Sequence, residues 1–206
     1  MRNARDLRLE SDYANLRRLA AHSGGSLVIE QAKGQPPDHY ILVYHCRTIE
    51  QLEKNKPIYR TLNRVEIKLP SRYPAPFDAP KTRMLTPIWH PHVYKNLVVC
   101  MGDWKTSEYL DVFALRLGAL LQFEKEFFDM RDPANEEAID WARRNLLLFP
   151  TDDRTFRDDP IEREDIPTGY TPLMPVAAPQ PHPAPEEDHR TASSVDAETI
   201  LWEDLL

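Results

Sequence analysis

Only two cysteines, Cys46 and Cys100, occur among 206 residues. Two thiols cannot supply a disulfide framework, which points to a reducing, cytoplasmic setting. No apolar run approaches the roughly 20 residues needed to span a bilayer. The start, MRNARDLRLES, is charged from the outset and lacks the apolar stretch of a secretory signal. Internal repeats are missing, as are a sustained basic run and any interleaving of aromatic with basic residues. These absences argue against membrane, collagenous, disulfide-rich secreted and nucleic-acid-binding classes.

What is present fits a globular domain with an appendage: hydrophobic residues make up 41% and charged residues 29%. The net charge of −7 conceals an asymmetry. Residues 151–206 hold 14 Asp/Glu against 4 Arg, with 8 of the 19 prolines, whereas residues 1–150 hold 22 basic against 19 acidic residues. The expected organisation is a mildly basic domain over 1–150 and an acidic, proline-rich tail over 151–206. The end of that tail, ETILWEDLL, sets Trp202 among aliphatic and acidic residues. It is either a frayed terminus or a short docking peptide.

Periodicity predicts a helix over roughly 4–22, with Leu9, Tyr13, Leu16 and Ala20 at helical spacing and Arg5, Arg8, Arg17 and Arg18 available for other faces. Ser23-Gly24-Gly25 ends it. Strands follow at Leu27–Ile29, Tyr40–Tyr44 and Val65–Leu69, with a turn at Gly34–Pro37. Six prolines interrupt residues 70–91 and leave only Thr82–Thr86 as a plausible strand. Tyr73-Pro74 is a candidate cis peptide. An apolar helix is expected over about 108–122. Another should open at Asp132-Pro133, with aspartate as cap, and end near Leu147–Pro150.

The stretch TPIWHPHVYKNLVVCMGDW, residues 86–104, concentrates the chemistry. A Cys–His hydrolase could use Cys100 with His90 or His92, although no local protease signature surrounds them. A metal could draw on His90, His92, Cys100 and His45 or Cys46, but the spacing completes no known ligand set. A buried structural cysteine fits Val98-Val99. A covalent thioester carrier also fits, because it needs an accessible thiol but not a strongly activated one.

In order along the chain, several segments resemble the ubiquitin-conjugating enzymes. Tyr73-Pro74 followed by Ala79-Pro80-Lys81 is similar to that family's YPxxPP segment. Thr86-Pro87-Ile88-Trp89-His90-Pro91 resembles its TxIxHP lead-in, and Val98-Val99-Cys100-Met101 its active-site strand. Asp132 to Ala138, DPANEEA, resembles its DPxNEEA helix start. His92 stands where the family has asparagine, Tyr73-Pro74 lies farther from Ala79-Pro80 than usual, and Ser107-Glu108 follows Cys100 early. These departures resemble divergent conjugating enzymes of prokaryotic ubiquitin-like operons.

The resemblance implies an α/β (α+β) fold with an N-terminal helix, a four-stranded antiparallel meander, an extended active-site segment and C-terminal helices. It implies that Cys100 carries a ubiquitin-like protein as a thioester, received from an activating enzyme and passed to an acceptor amine or hydroxyl. Asp132 would orient the incoming lysine. His92 would donate to the oxyanion or accept the acceptor's proton, and His90 would brace the turn. The first helix, with Arg5, Arg8, Arg17 and Arg18, would meet the activating enzyme. A ligase or substrate protein would be a further partner, and no cofactor or metal is implied. The alternatives are a non-catalytic module of the same fold that binds a ubiquitin-like protein, and the Cys–His hydrolase.

Overall fold

The computed structural model describes residues 3–124, 133–148 and 156. Its elements run α1 (Ala4–Ala21), β1 (Leu27–Gly34), β2 (Pro37–Tyr44), β3 (Thr48–Glu53), β4 (Lys56–Arg60), β5 (Asn63–Lys68), β6 (Lys81–Met84), α2 (Leu110–Leu121) and α3 (Glu136–Arg144), followed by a 3-10 turn at Leu146–Leu148. Four strands form one antiparallel sheet in the order β1-β2-β5-β6, and β3 pairs with β4 in a separate hairpin. The architecture is α+β.

Alternation along the strands decides which face is buried. Ile29, Leu42, Val65 and Met84 stand in register across the sheet, as do Tyr40, Ile67 and Thr82. All but Ile29, which is partly buried, are withdrawn from solvent. The intervening positions, among them Glu30, Arg64, Glu66 and Lys68, face the other way and pair in surface ion bridges. At the β1–β2 turn, Gly34 has φ +106°, and a Cβ there would meet the Pro36 carbonyl at 2.9 Å, so glycine is required.

The β3–β4 hairpin departs from the sequence expectation. It lies between β2 and β5, so those two strands are sheet neighbours without being consecutive. Its turn is made by Lys54 and Asn55, both at positive φ (48° and 67°), the twist that two-residue hairpins favour. Asn63, buried at the start of β5, closes the hairpin's base: its Nδ2 donates to the Cys46 carbonyl at 2.8 Å and its Oδ1 accepts from the Thr48 hydroxyl at 2.7 Å.

α1 packs on α2 and against β1 and β2. Its buried stripe is Leu9, Asp12, Leu16 and Leu19; of the expected set Leu9, Tyr13, Leu16 and Ala20, the first and third belong to it, and Tyr13 and Ala20 are half-buried. Nearly every residue of α2 from Phe113 onward is buried, including Gly118. Phe156, beyond residue 150, also belongs to this core: its ring meets Tyr44 edge-on at 5.4 Å and lies directly over Gly118. α3 begins later than expected. Its cap is Asn135, whose side chain accepts from the Ala138 N–H; the expected cap, Asp132, lies outside the described residues. The helix closes at Arg144, short of the expected end.

Candidate active site

Cys100 follows a narrow β-ladder. The Val99 N–H donates to the Thr82 carbonyl at 3.0 Å, and Val93 and Val99 form an isolated antiparallel bridge. A turn at Tyr94–Leu97, with Leu97 at φ +69°, folds the chain back on itself. Cys100 therefore comes to lie opposite His92, and its N–H donates to the His92 carbonyl at 2.8 Å. The thiol residue is half-exposed, whereas Cys46 is fully buried.

His90 is fully buried, and both ring nitrogens are engaged. Nδ1 accepts from the His92 N–H at 2.9 Å, which leaves Nε2–H to donate to the Leu120 carbonyl at 2.8 Å. Burial pushes its pKa down to about 3, so the ring is neutral at physiological pH. A neutral ring with both nitrogens occupied is a brace between the turn and α2, and it has no lone pair left for a metal. Among the described residues no cluster of three or more His, Cys, Asp or Glu could hold a metal ion. His92 is itself 6% exposed, and its ring centroid lies 6.1 Å from that of His90.

The turn is also fastened to α3. The Asn135 N–H donates to the Pro91 carbonyl at 2.9 Å, so the cap of α3 abuts the residue before His92. Lys95 reaches Glu137 at 2.7 Å, although both side chains are largely exposed and the pair contributes little. Asp132 lies just before this helix, outside the described residues. So do Trp202 and the rest of 157–206.

The Tyr73–Pro74 peptide is cis. Tyr73 is buried against Trp104, ring centroids 5.6 Å apart. Its hydroxyl donates to Asp12 at 2.7 Å. Asp12 is a buried carboxylate with three donors: Tyr73 O–H, Arg8 Nε at 2.9 Å and the Leu110 N–H at 2.9 Å. Burial raises its pKa, and these donors oppose the rise. Burial likewise raises the Tyr73 pKa, and the Asp12 carboxylate adds to it. The bond to Leu110 caps α2 from another helix, because the local cap residue, Tyr109, makes no side-chain bond.

The four arginines of α1 divide by environment. Arg8 turns inward: besides Asp12 it donates to the Thr106 carbonyl at 2.9 Å, to the Tyr73 hydroxyl and to the Glu108 carbonyl, and it lies 4.3 Å from the Tyr109 ring centroid. Arg5 bridges Asp38 at 3.0 Å and the Pro70 carbonyl at 3.2 Å. Arg17 and Arg18 are exposed, with Arg17 over the Tyr13 ring.

Two residues that the sequence reading passed over shape the stretch after Cys100. Arg116 forks onto Glu108 through Nε at 2.9 Å and a terminal nitrogen at 2.8 Å, and its other terminal nitrogen donates to the Met101 carbonyl. Arg116 is the only basic residue in the apolar run of α2, which was the available signal. Asp12 carried a similar one, as a carboxylate on the apolar face of α1 with Arg8 one turn before it.

The sequence model described as ubiquitin-conjugating enzyme matches residues 49–150. It takes in the chain from Ile49 in the β3–β4 hairpin through α3, including Tyr73, His90, His92, Cys100 and Arg116. No curated protein matches the chain.

Proposed function

Because the chain belongs to the ubiquitin-conjugating enzyme family, we propose that Cys100 carries a ubiquitin-like protein as a thioester and passes it to an acceptor. The carrying observation is that Cys100 is only partly buried as a residue and stands opposite His92 at the end of the ladder. A fully buried thiol, such as Cys46, could not reach a partner's C-terminus.

The chemistry is acyl exchange. An activating enzyme presents the modifier as its own thioester; the Cys100 thiolate attacks the carbonyl, the donor's carbon–sulfur bond breaks, and the donor cysteine leaves as a thiolate. An acceptor amine or hydroxyl then adds to the Cys100 thioester, the tetrahedral oxyanion collapses, and the Cys100 thiolate leaves. The acceptor's proton goes to a base or to water. His92 is assigned to this second step, as donor to the oxyanion or as base. Asp132, by its place in the DPANEEA segment, is assigned to orienting the acceptor lysine. A reducing cytoplasm suits a thiol carrier, and no helix among the described residues is long and apolar enough to cross a membrane. The histidine in place of asparagine fits the divergent conjugating enzymes of prokaryotic ubiquitin-like operons. Residues 151–206 are proposed as an acidic tail ending in a docking peptide around Trp202.

Incubating the protein with an activating enzyme, ATP and a ubiquitin-like protein tests the reading. A reductant-sensitive adduct is expected on wild type and on Cys46→Ala, and none on Cys100→Ala. Cys100→Ser should hold a more persistent ester, because an alkoxide leaves less readily than a thiolate. Non-covalent binding without an adduct would favour the binding module, and cleavage of a pre-formed conjugate would favour the Cys–His hydrolase.

A further inference from the structure

Resting on the carrier reading of Cys100, we propose that Arg116 is a positioning residue for this cysteine, acting through the carbonyl of Met101. Cys100 is fixed on its N-terminal side by its own N–H bond to His92. On its C-terminal side the chain leaves the ladder, turns at Gly102 (φ +67°) and runs without helix or strand as far as α2. Arg116 reaches back from α2 and donates to the first carbonyl of that stretch. The peptide joining Cys100 to Met101 therefore lies between two anchors.

The anchor is rigid for identifiable reasons. Two guanidinium nitrogens are committed to Glu108, the side chains being 19% and 11% exposed, and a bidentate fork fixes the plane of the group. With the plane fixed, the remaining nitrogen can point in only one direction, and there it meets Met101. The guanidinium also lies over the Phe113 ring, 5.4 Å from its centroid. Glu108 is itself immobilised, because its backbone carbonyl accepts from Arg8, which the buried Asp12 holds. A lysine at 116 would keep the charge without the fork, and a glutamine at 108 would keep the shape without the charge.

The test measures two properties of Arg116→Ala, Arg116→Lys and Glu108→Gln. The first is single-turnover discharge of the Cys100 thioester against acceptor concentration. The second is alkylation of Cys100 and Cys46 by iodoacetamide, resolved by mass spectrometry. A misplaced thioester lowers the maximal rate of acceptor attack rather than acceptor binding, so Arg116→Lys and Glu108→Gln should discharge roughly tenfold more slowly at saturation with the half-saturating concentration unchanged. Arg116→Ala should fall further. Alkylation of Cys100 should rise in the variants as its segment loosens, while the buried Cys46 stays protected. Wild-type discharge in a folded Arg116 variant would overturn the proposal. So would alkylation of Cys46 rising in step with Cys100, which would mark general loosening of the fold. If wild type forms no thioester, the carrier reading fails; the alkylation comparison still judges the clamp, and unchanged Cys100 alkylation in all three variants overturns it.

Discussion

The backbone of His92 is bound at both ends, its N–H to the His90 ring at 2.9 Å and its carbonyl to the Cys100 N–H at 2.8 Å. Both bonds use main-chain atoms of residue 92, so substituting its side chain leaves Cys100 anchored. Position and chemistry can therefore be separated at this residue. If His92 donates to the oxyanion, His92→Asn should keep much of the discharge rate and His92→Ala should lose about 3 kcal/mol of transition-state stabilisation, roughly a hundredfold. If His92 is a base, both variants should fail alike. Single-turnover discharge of the Cys100 thioester, with loading as the control, distinguishes them. Normal discharge in His92→Ala would remove the residue from the chemistry.

His90 makes stability depend on pH. Its folded pKa, about 3, lies below the ordinary imidazole value of 6.5 because the ring is buried. The unfolded chain therefore binds the extra proton first. This contribution is fully present above pH 6.5 and is lost progressively as the pH falls toward 3. Moving from pH 7 to pH 5 should cost about 2 kcal/mol through this group alone. Urea denaturation of wild type and His90→Gln at both values measures it. The variant should be less stable at pH 7, because the Leu120 and His92 bonds are disturbed, but should lose less on acidification. An identical loss in the two proteins would count against the buried neutral ring.

Much of this fold is legible in the sequence, and the exceptions share a cause. α1, α2 and the four strands of the main sheet show themselves through local periodicity and through glycine and proline at their ends. The β3–β4 hairpin does not, because Thr48–Glu53 mixes charges into its alternation and the turn is Lys54-Asn55 rather than a glycine pair. The start of α3 is expected at Asp132-Pro133, because an aspartate followed by proline satisfies the local rules for a helix start, whereas the helix is capped by Asn135. The hydrogen bond to Pro91 that accompanies the Asn135 cap is a tertiary contact. Asp12 bonds to residues 61 and 98 positions away, and Arg116 meets Met101 only because α2 folds back across the active segment. Sequence spacing brings Cys100 and His92 to attention. It cannot show which polar groups hold them.

Phe156 should mark where the folded unit can be cut. Its ring fills the space above Gly118, where an added Cβ would come within 2.6 Å of it. Phe156→Ala should cost about 3–5 kcal/mol, lowering the melting temperature by roughly 10 °C. Ending the chain after residue 150 should be at least as damaging, whereas ending it after residue 161 should be mild. Gly118→Ala should destabilise wild type and be better tolerated in the Phe156→Ala background, because the clash is with that ring. Calorimetry on the five variants checks this. Equal melting of the chains ending at 150 and 161 would show that Phe156 carries no packing energy.

Loading by the activating enzyme should depend on Arg17 and Arg18 rather than on Arg5 and Arg8. Arg8 is spent within the molecule, on Asp12, Tyr73 and the Thr106 and Glu108 carbonyls. Arg8→Glu would place a carboxylate beside the buried Asp12 and leave those acceptors without their donor, so it should destabilise by about 3 kcal/mol or more. Arg5 is held by Asp38 and Pro70, and its reversal should act mainly on that contact. Arg17 and Arg18 are exposed on α1, where reversal costs the fold little but inverts the field that an approaching partner meets. The double reversal Arg17→Glu/Arg18→Glu should leave the melting temperature nearly unchanged, slow thioester loading about tenfold at low salt, and flatten its dependence on ionic strength. Loading rates measured over a salt series, beside melting curves for both pairs of variants, decide the matter. Unaltered loading by the Arg17/Arg18 reversal at every ionic strength would remove this face of α1 from the encounter.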